Sequence, residues 1–253
     1  MEIFYWILYI ILALFIGSFL NVVALRVPNN QSIVLPPSHC PNCGHQLNAI
    51  DLLPVFGYII RRGKCKHCDE RISSIYLFGE LLTLLFFILI PIFIGFSFEL
   101  IIAYSFAMLL VVVAISDLKY KIIPDKITYP GMFFFLLLRV FIHPLGFWDY
   151  IIGAFLGGGL LLLIAILSRG GIGGGDIKLF FLIGLVLGWQ NTLLAIFLAT
   201  LVGTVVGGIL ILLGFVKRKQ MVPFGPAIII GTMAAYLFGN EIWHWYFSII
   251  IGG

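Results

Sequence analysis

Gly170-Gly171-Ile172-Gly173-Gly174-Gly175-Asp176-Ile177-Lys178-Leu179 interrupts sequence that is otherwise apolar enough for the interior of a membrane. Five glycines in six residues do not sustain a helix in lipid, because glycine gives up the most backbone freedom on ordering. Unpaired backbone is costly in hydrocarbon, so the segment belongs at a water-facing edge or in the shelter of protein. It delivers one carboxylate, Asp176, to the start of the next apolar segment. The rest of the chain has to say what that carboxylate is for.

The chain has 253 residues, 62% hydrophobic and 10% charged. Its mean hydropathy is +1.15. Apolar runs of membrane-spanning length recur, so the fold class is an all-α, polytopic transmembrane helical bundle. No strand pattern of substance and no solenoid repeat is legible. A net charge of +4 without a basic stripe argues against a nucleic-acid partner and bears on topology instead. The chain is apolar from Ile3, with Glu2 its only early charge. It lacks the basic region and small-residue cleavage site of a secretory signal, so the first segment is expected to be a retained span.

About eight spans are expected, at roughly 4–25, 75–94, 98–116, 127–141, 150–167, 177–188, 192–216 and 222–238. The sixth barely crosses a core of about 30 Å at about 1.5 Å per residue. Arg26, Arg61, Arg62, Lys64, Lys66 and Arg71 lie in the first loop, and Lys119, Lys121 and Lys126 follow the third span. Arg169 and Lys178 flank the glycines, and Lys217, Arg218 and Lys219 follow the seventh span. With eight spans all of these fall on one face. The positive-inside bias makes that face cytoplasmic and puts both termini outside. Trp148, Trp189, Trp243 and Trp245 fall near the other interface, as an aromatic belt does. Arg139 is left within the fourth span near that far end, where it is expected to snorkel outward. Gly153 with Gly157, and Gly203 with Gly207, have GxxxG spacing and read as close helix packing.

The loop after the first span holds all four cysteines, as Cys40-Pro-Asn-Cys43 and Cys65-Lys-His-Cys68, with 21 residues between the pairs. Each C-x2-C turn presents two sulfurs to one side of an ion, the pattern of a closed four-thiolate zinc site. Disulfides are the alternative, which a cytoplasmic loop disfavours because its thiols stay reduced. His39, His45 and His67 neighbour the cysteines, but a closed four-cysteine set leaves them no ligand position. Such a site is structural: Zn2+ would fold a loop too small to hold itself together.

Asp117 closes the third span and Asp176 opens the sixth, 59 positions and two spans apart. An even number of crossings returns both to the same membrane edge. Two adjacent carboxylates do not both ionise readily, so one acid and one carboxylate coexist. Aspartic-protease chemistry needs that pair. The carboxylate takes a proton from the attacking water; its protonated partner donates to the peptide oxygen and later serves the leaving amine. A lone aspartate at a helix end reads more simply as a cap, and Asp125 and Asp149 fit that role ahead of the fourth and fifth spans. Asp51 stands in the cysteine loop with no evident partner.

Together these motifs resemble the prepilin peptidases, or type IV leader peptidases, of the GxGD class of membrane aspartic proteases. The matching residues are Gly173-Gly174-Gly175-Asp176 with Ile177-Lys178-Leu179, and Asp117 with Ile123-Pro124-Asp125. Gly17-Ser18-Phe19-Leu20-Asn21-Val22-Val23 with Arg26 and Pro28 resembles the family's opening signature. The two cysteine pairs, Asp51-Leu52-Leu53-Pro54 between them, and Ile72-Ser73-Ser74-Ile75-Tyr76 leading to Glu80 complete it. The resemblance implies a multi-pass protein of the bacterial cytoplasmic membrane that cleaves type IV prepilin-like precursors after a glycine at the cytoplasmic face. Such precursors feed pilus, secretion or competence machines. By the same resemblance Asp117 and Asp176 are the catalytic pair. Many members also N-methylate the new terminus with S-adenosylmethionine, an activity of the N-terminal region, where Asn21, Glu80 and the cysteine loop are candidates.

The expected organisation is an N-terminal region over 1–96 tied to methyl transfer and a peptidase membrane domain over 97–253. The expected partners are prepilin-like precursors and the lipid bilayer. A peptidase without methyl transfer and a non-enzymatic membrane adaptor docking through the zinc knuckle are the competing readings. A transporter would carry its acids at mid-membrane, and here the acids stand at a membrane edge, except Glu80.

Overall fold

The computed structural model describes residues 2–214 and 223–251. Lys217, Arg218, Lys219 and the start of the eighth expected span lie outside the described residues. The helices are α1 (Glu2–Arg26), α2 (Phe56–Ile60), α3 (Ile75–Ile94), α4 (Glu99–Tyr120), α5 (Asp125–Phe141), α6 (Phe147–Leu167), α7 (Gly174–Leu212) and α8 (Gly225–Ile251). Among the described residues the only β pairing is two isolated bridges in the cysteine loop, His39 with Gln46 and Lys64 with Arg71. By length and composition α1, α3, α4, α6 and α7 can each cross a membrane.

α7 is a folded-back element rather than one rod. Gly188 breaks it with φ 74°, ψ 171°, a backbone region open to glycine and closed to most side chains. A Cβ placed on Gly157 of α6 would lie 2.7 Å from Phe180 O and 2.8 Å from Thr192 Cγ2. In a straight helix those two residues would sit about 18 Å apart at about 1.5 Å each. The two halves of α7 therefore run antiparallel and supply the sixth and seventh expected spans. α6 lies along the first half, with Gly153 against Gly184 and Gly188. α8 lies along the second, with Gly231 against Ala199 and Gly239 against Asn191. The Gly153–Gly157 spacing is thus a helix contact. Of the other pair, Gly203 meets Phe224, while Gly207 faces open space among the described residues.

α4 is the axis of the bundle. It is 61% buried over its apolar window, against 22–39% for the other four long apolar helices. Ile102, Ala103, Phe106, Leu110, Val111 and Val113 are all sealed inside. The outer faces carry Phe4, Trp6, Phe15, Phe133, Phe155 and Phe197 in the open. That surface suits hydrocarbon, which needs no polar cover.

Arg139 does not snorkel outward, as its place near a span end predicts. It is 1% exposed. Its guanidinium grips Glu99 of α4 through two bonds of 2.7 and 2.8 Å and donates to the Ile142 carbonyl at 3.2 Å. It also donates to the Val186 carbonyl of α7 and lies 4.2 Å over the Tyr150 ring of α6. Tyr236 of α8 donates to the same Glu99 at 2.6 Å. One ion pair thereby ties five helices at the end of the bundle away from the cysteine loop. Removing one partner strands the other charge. Arg139→Leu is expected to destabilise the fold by about 3–5 kcal/mol, and Arg139→Leu with Glu99→Gln to recover much of that loss. Denaturant unfolding in detergent micelles measures both.

Candidate active site and metal centre

Asp117 sits on the last turn of α4 and is 8% exposed. Lys121, left-handed at φ 56°, closes the helix by donating its amide to the Asp117 carbonyl at 2.8 Å. The chain then reverses through Ile122, whose carbonyl accepts from Ser116 Oγ at 2.8 Å, into α5. Asp176 is half-buried on the first turn of α7, its amide bonded to the Gly173 carbonyl at 3.1 Å. Ile123 brings the two segments together by packing on Gly175, where a Cβ would come within 3.0 Å. The structure therefore brings Asp117 and Asp176 to one end of the bundle, near enough for the Asp117 charge to bear on Asp176.

The glycines before Asp176 differ in their surroundings. Gly175 is filled by Ile123, and Gly171 lies against Ser168. Gly170 and Gly174 have nothing within 4 Å of a would-be Cβ. Asp125 does not cap α5, whose N-cap position is Pro124 with no side-chain cap bond. Instead it takes Lys178 Nζ at 2.8 and 2.9 Å, with Lys178 also over the Tyr129 ring, and so clamps the start of α7 to the start of α5. Asp149 lies in the first turn of α6, at the opposite end.

One contributor was not legible in the chain. Gly225, at the start of α8, donates its amide to Asp117 Oδ2 at 2.7 Å. A Cβ there would lie 2.7 Å from that same oxygen. Phe224-Gly225-Pro226 is the signal that could have found it, a glycine ahead of a proline that opens a helix. Its link to Asp117 spans 108 positions, and no local pattern reports that.

The four cysteines converge. Their sulfurs all lie within 4.8 Å of one another, in a group that can hold a metal ion. Cys40 Sγ is 3.8 Å from Cys68 Sγ, and Cys43 Sγ is 3.9 Å from Cys65 Sγ. A disulfide needs sulfurs about 2.05 Å apart, and all four thiols are free. Sulfurs about 2.3 Å from a tetrahedral zinc stand about 3.8 Å apart, so the spacing fits that ion. The two knuckles repeat one turn. Cys40 N donates to His45 O and Gly44 N to Cys40 O, as Cys65 N does to Glu70 O and Asp69 N to Cys65 O. His39, His45 and His67 stand outside the ligand group, and the rings of His45 and His67 lie 3.4 Å apart, centroid to centroid.

Between the knuckles, Asp51 has a partner after all, Arg61 Nε at 2.6 Å. Burial works against its charge, but Arg61 and the Asn48 amide outweigh it and hold the carboxyl below its ordinary range. Glu80 of α3 is 7% exposed and does not pair with Asn21. Its Oε2 accepts the Val55 amide at 2.7 Å, and Ser18 also bonds to it. Asn21 donates to the Tyr76 carbonyl at 2.9 Å, and its buried Oδ1 has no hydrogen-bond partner. That oxygen would be 2.2 Å from a Cβ on Gly79, so it abuts the facing helix.

Two family models cover most of this architecture. The bacterial peptidase A24 N-terminal domain matches residues 11–94, and the type IV leader peptidase family matches residues 102–208. A prepilin leader peptidase/N-methyltransferase of Bacillus subtilis is 39% identical over 245 residues, spanning 96% of this chain and 98% of that protein. The chain belongs to the type IV leader peptidase family. Similar proteins of the same description occur in Aeromonas salmonicida, 31% identical over 98% of this chain and 95% of that one, and in Pseudomonas aeruginosa, 30% identical over 94% and 91%. No solved structure matches the chain. As a leader peptidase family member with these apolar helices, it is a multi-pass membrane protein.

Proposed function

We propose that this protein is a membrane aspartic endopeptidase that removes the leader peptide of prepilin-like precursors and N-methylates the new amino terminus. The observation that carries the peptidase reading is the meeting of Asp117 and Asp176 at one end of the bundle. Family membership and the names of the relatives support the same reading. In this reading the positive-inside bias puts that end at the cytoplasmic face of the cytoplasmic membrane.

The Gly225 amide aims at Asp117 Oδ2, a donor that suits an ionised oxygen. Asp117 then acts as the base that takes a proton from water attacking the scissile carbonyl. Asp176 holds the shared proton, gives it to the developing oxyanion, and the same pair later protonates the leaving amine. The site opens at the bundle end, where a precursor's apolar helix lies in the membrane and its leader remains in water.

Residues 1–96 form the region tied to methyl transfer, and residues 97–253 form the peptidase. The cysteines, Asn21 and Glu80 lie in the first region and both aspartates in the second. S-adenosylmethionine would supply the methyl group. Asn21 packs against Gly79 of the facing helix with its Oδ1 unbonded. Zn2+ is the ion that the sulfur spacing suits, in a structural role.

The test is direct. The full-length protein in lipid nanodiscs, given a prepilin-like precursor and a labelled methyl donor, is expected to release the leader and label the mature terminus. Failure to cut any such precursor overturns the peptidase reading, and cutting without label leaves a peptidase alone. Gly225→Ala pushes Asp117 off its position, and a misplacement of about 1 Å costs about 10²-fold in rate. The expected result is that loss in kcat with KM and thermal midpoint little changed.

A further inference from the structure

The cysteine loop carries an apolar face that the bundle leaves bare. Phe56, Ile59 and Ile60 of α2 are 59%, 60% and 59% exposed. Leu52 and Leu53 just before them are also open. Basic side chains follow at once. Phe56 to Lys66 contains Arg61, Arg62, Lys64 and Lys66 and no acid. Arg61 serves Asp51, while Arg62, Lys64 and Lys66 stand exposed and line a shallow cavity with Cys65 and Asp69.

The level of this face is set by a buried bond. Glu80 lies on the second turn of the membrane-crossing α3, and it takes the amide of Val55, the residue just before α2. α2 is thereby held level with the entry of α3 into the bilayer rather than out in water. The loop is also anchored at both ends, by Arg26 closing α1 and by Ile75 opening α3. Apolar side chains at the membrane edge, with cations beside them and no acid between, match the order of acyl chain and anionic headgroup.

We propose that Phe56, Ile59 and Ile60, with Arg62, Lys64 and Lys66, dock the cysteine loop onto anionic phospholipid headgroups of the membrane that holds the bundle. α2 lies in the interface, its three apolar side chains among the upper acyl carbons and the three cations on phosphates. This docking fixes the loop against the bilayer whatever the catalytic chemistry turns out to be.

Full-length protein in nanodiscs of phosphatidylcholine alone, and with about one third phosphatidylglycerol, tests this by hydrogen exchange over residues 55–66. Three cations at an anionic surface are expected to slow exchange there about tenfold in the anionic membrane. The difference is expected to vanish in Arg62→Gln/Lys64→Gln/Lys66→Gln and in high salt, which screens such contacts. A benzophenone amino acid in place of Ile59 is expected to crosslink to phospholipid. Equal exchange of the wild-type protein in the two membranes overturns the proposal, and needs no variant to fold. Crosslinking of position 59 to a second copy of the chain or to an added precursor, in place of lipid, also overturns it.

Discussion

Asp117→Asn and Asp176→Asn are each expected to cut the rate of precursor cleavage by about 10²–10⁴-fold, the contribution of a positioned proton-transfer group. An asparagine keeps the shape and loses the proton chemistry. In the proposed mechanism the two groups act on one shared proton, so the double variant is expected to be little worse than either single one. Both variants are expected to insert in the membrane and unfold at the wild-type midpoint, because neither removes a packing contact: Ile123 still meets Gly175, and Lys178 still holds Asp125. Cleavage time courses on purified, reconstituted variants give the answer. A variant that still cuts at a tenth of the wild-type rate or better would remove its aspartate from the chemistry.

The second large effect is on the cysteine loop. The purified protein is expected to carry one zinc by mass spectrometry in non-denaturing conditions, and Cys40→Ser or Cys65→Ser to lose it. Structural zinc contributes about 10–16 kcal/mol in small zinc-folded peptides, far more than the few apolar contacts a loop this size makes for itself. Without it the segment from Val27 to Ser74 is expected to become the first site of proteolysis, while the bundle, with its core on α4, stays resistant. A zinc-free wild-type protein with an intact loop would end the structural-metal reading.

Most of the bundle was legible because lipid imposes one rule, apolar runs of fixed length, and this chain follows it. The glycine break before Asp176, the turn after Asp117 and the cysteine spacing are local signals, and each stands where the chain pattern put it. What was not legible depends on partners far away along the chain. Arg139 looks like a snorkelling end residue until Glu99, 40 positions earlier, is placed beside it. Asp51 looks solitary until the loop folds and Arg61 turns back on it. Glu80 reads as an acid inside a span, and its partner is a main-chain amide, which carries no residue signature. The crowded glycines read as a helix break, yet Gly175 is also a packing contact, taken up by Ile123.

The ion pair at the far end bears on a demand that membrane enzymes share. Acids that activate water next to an energised bilayer must not become a wire for protons. Glu99 and Asp117 stand at opposite ends of α4, about 27 Å apart at about 1.5 Å per residue. Between them the buried side chains of that helix are Ile102, Ala103, Phe106, Ala107, an unbroken apolar run from Leu110 to Ile115, and Ser116. No acid lies between them on that helix, whose one ionisable side chain there is the half-buried Tyr104, bonded to Tyr9 at 2.6 Å, and Glu99 itself is held by Arg139 and Tyr236. The helix that carries Asp117 is thus an electrical insulator, with acid at both ends and none in the middle.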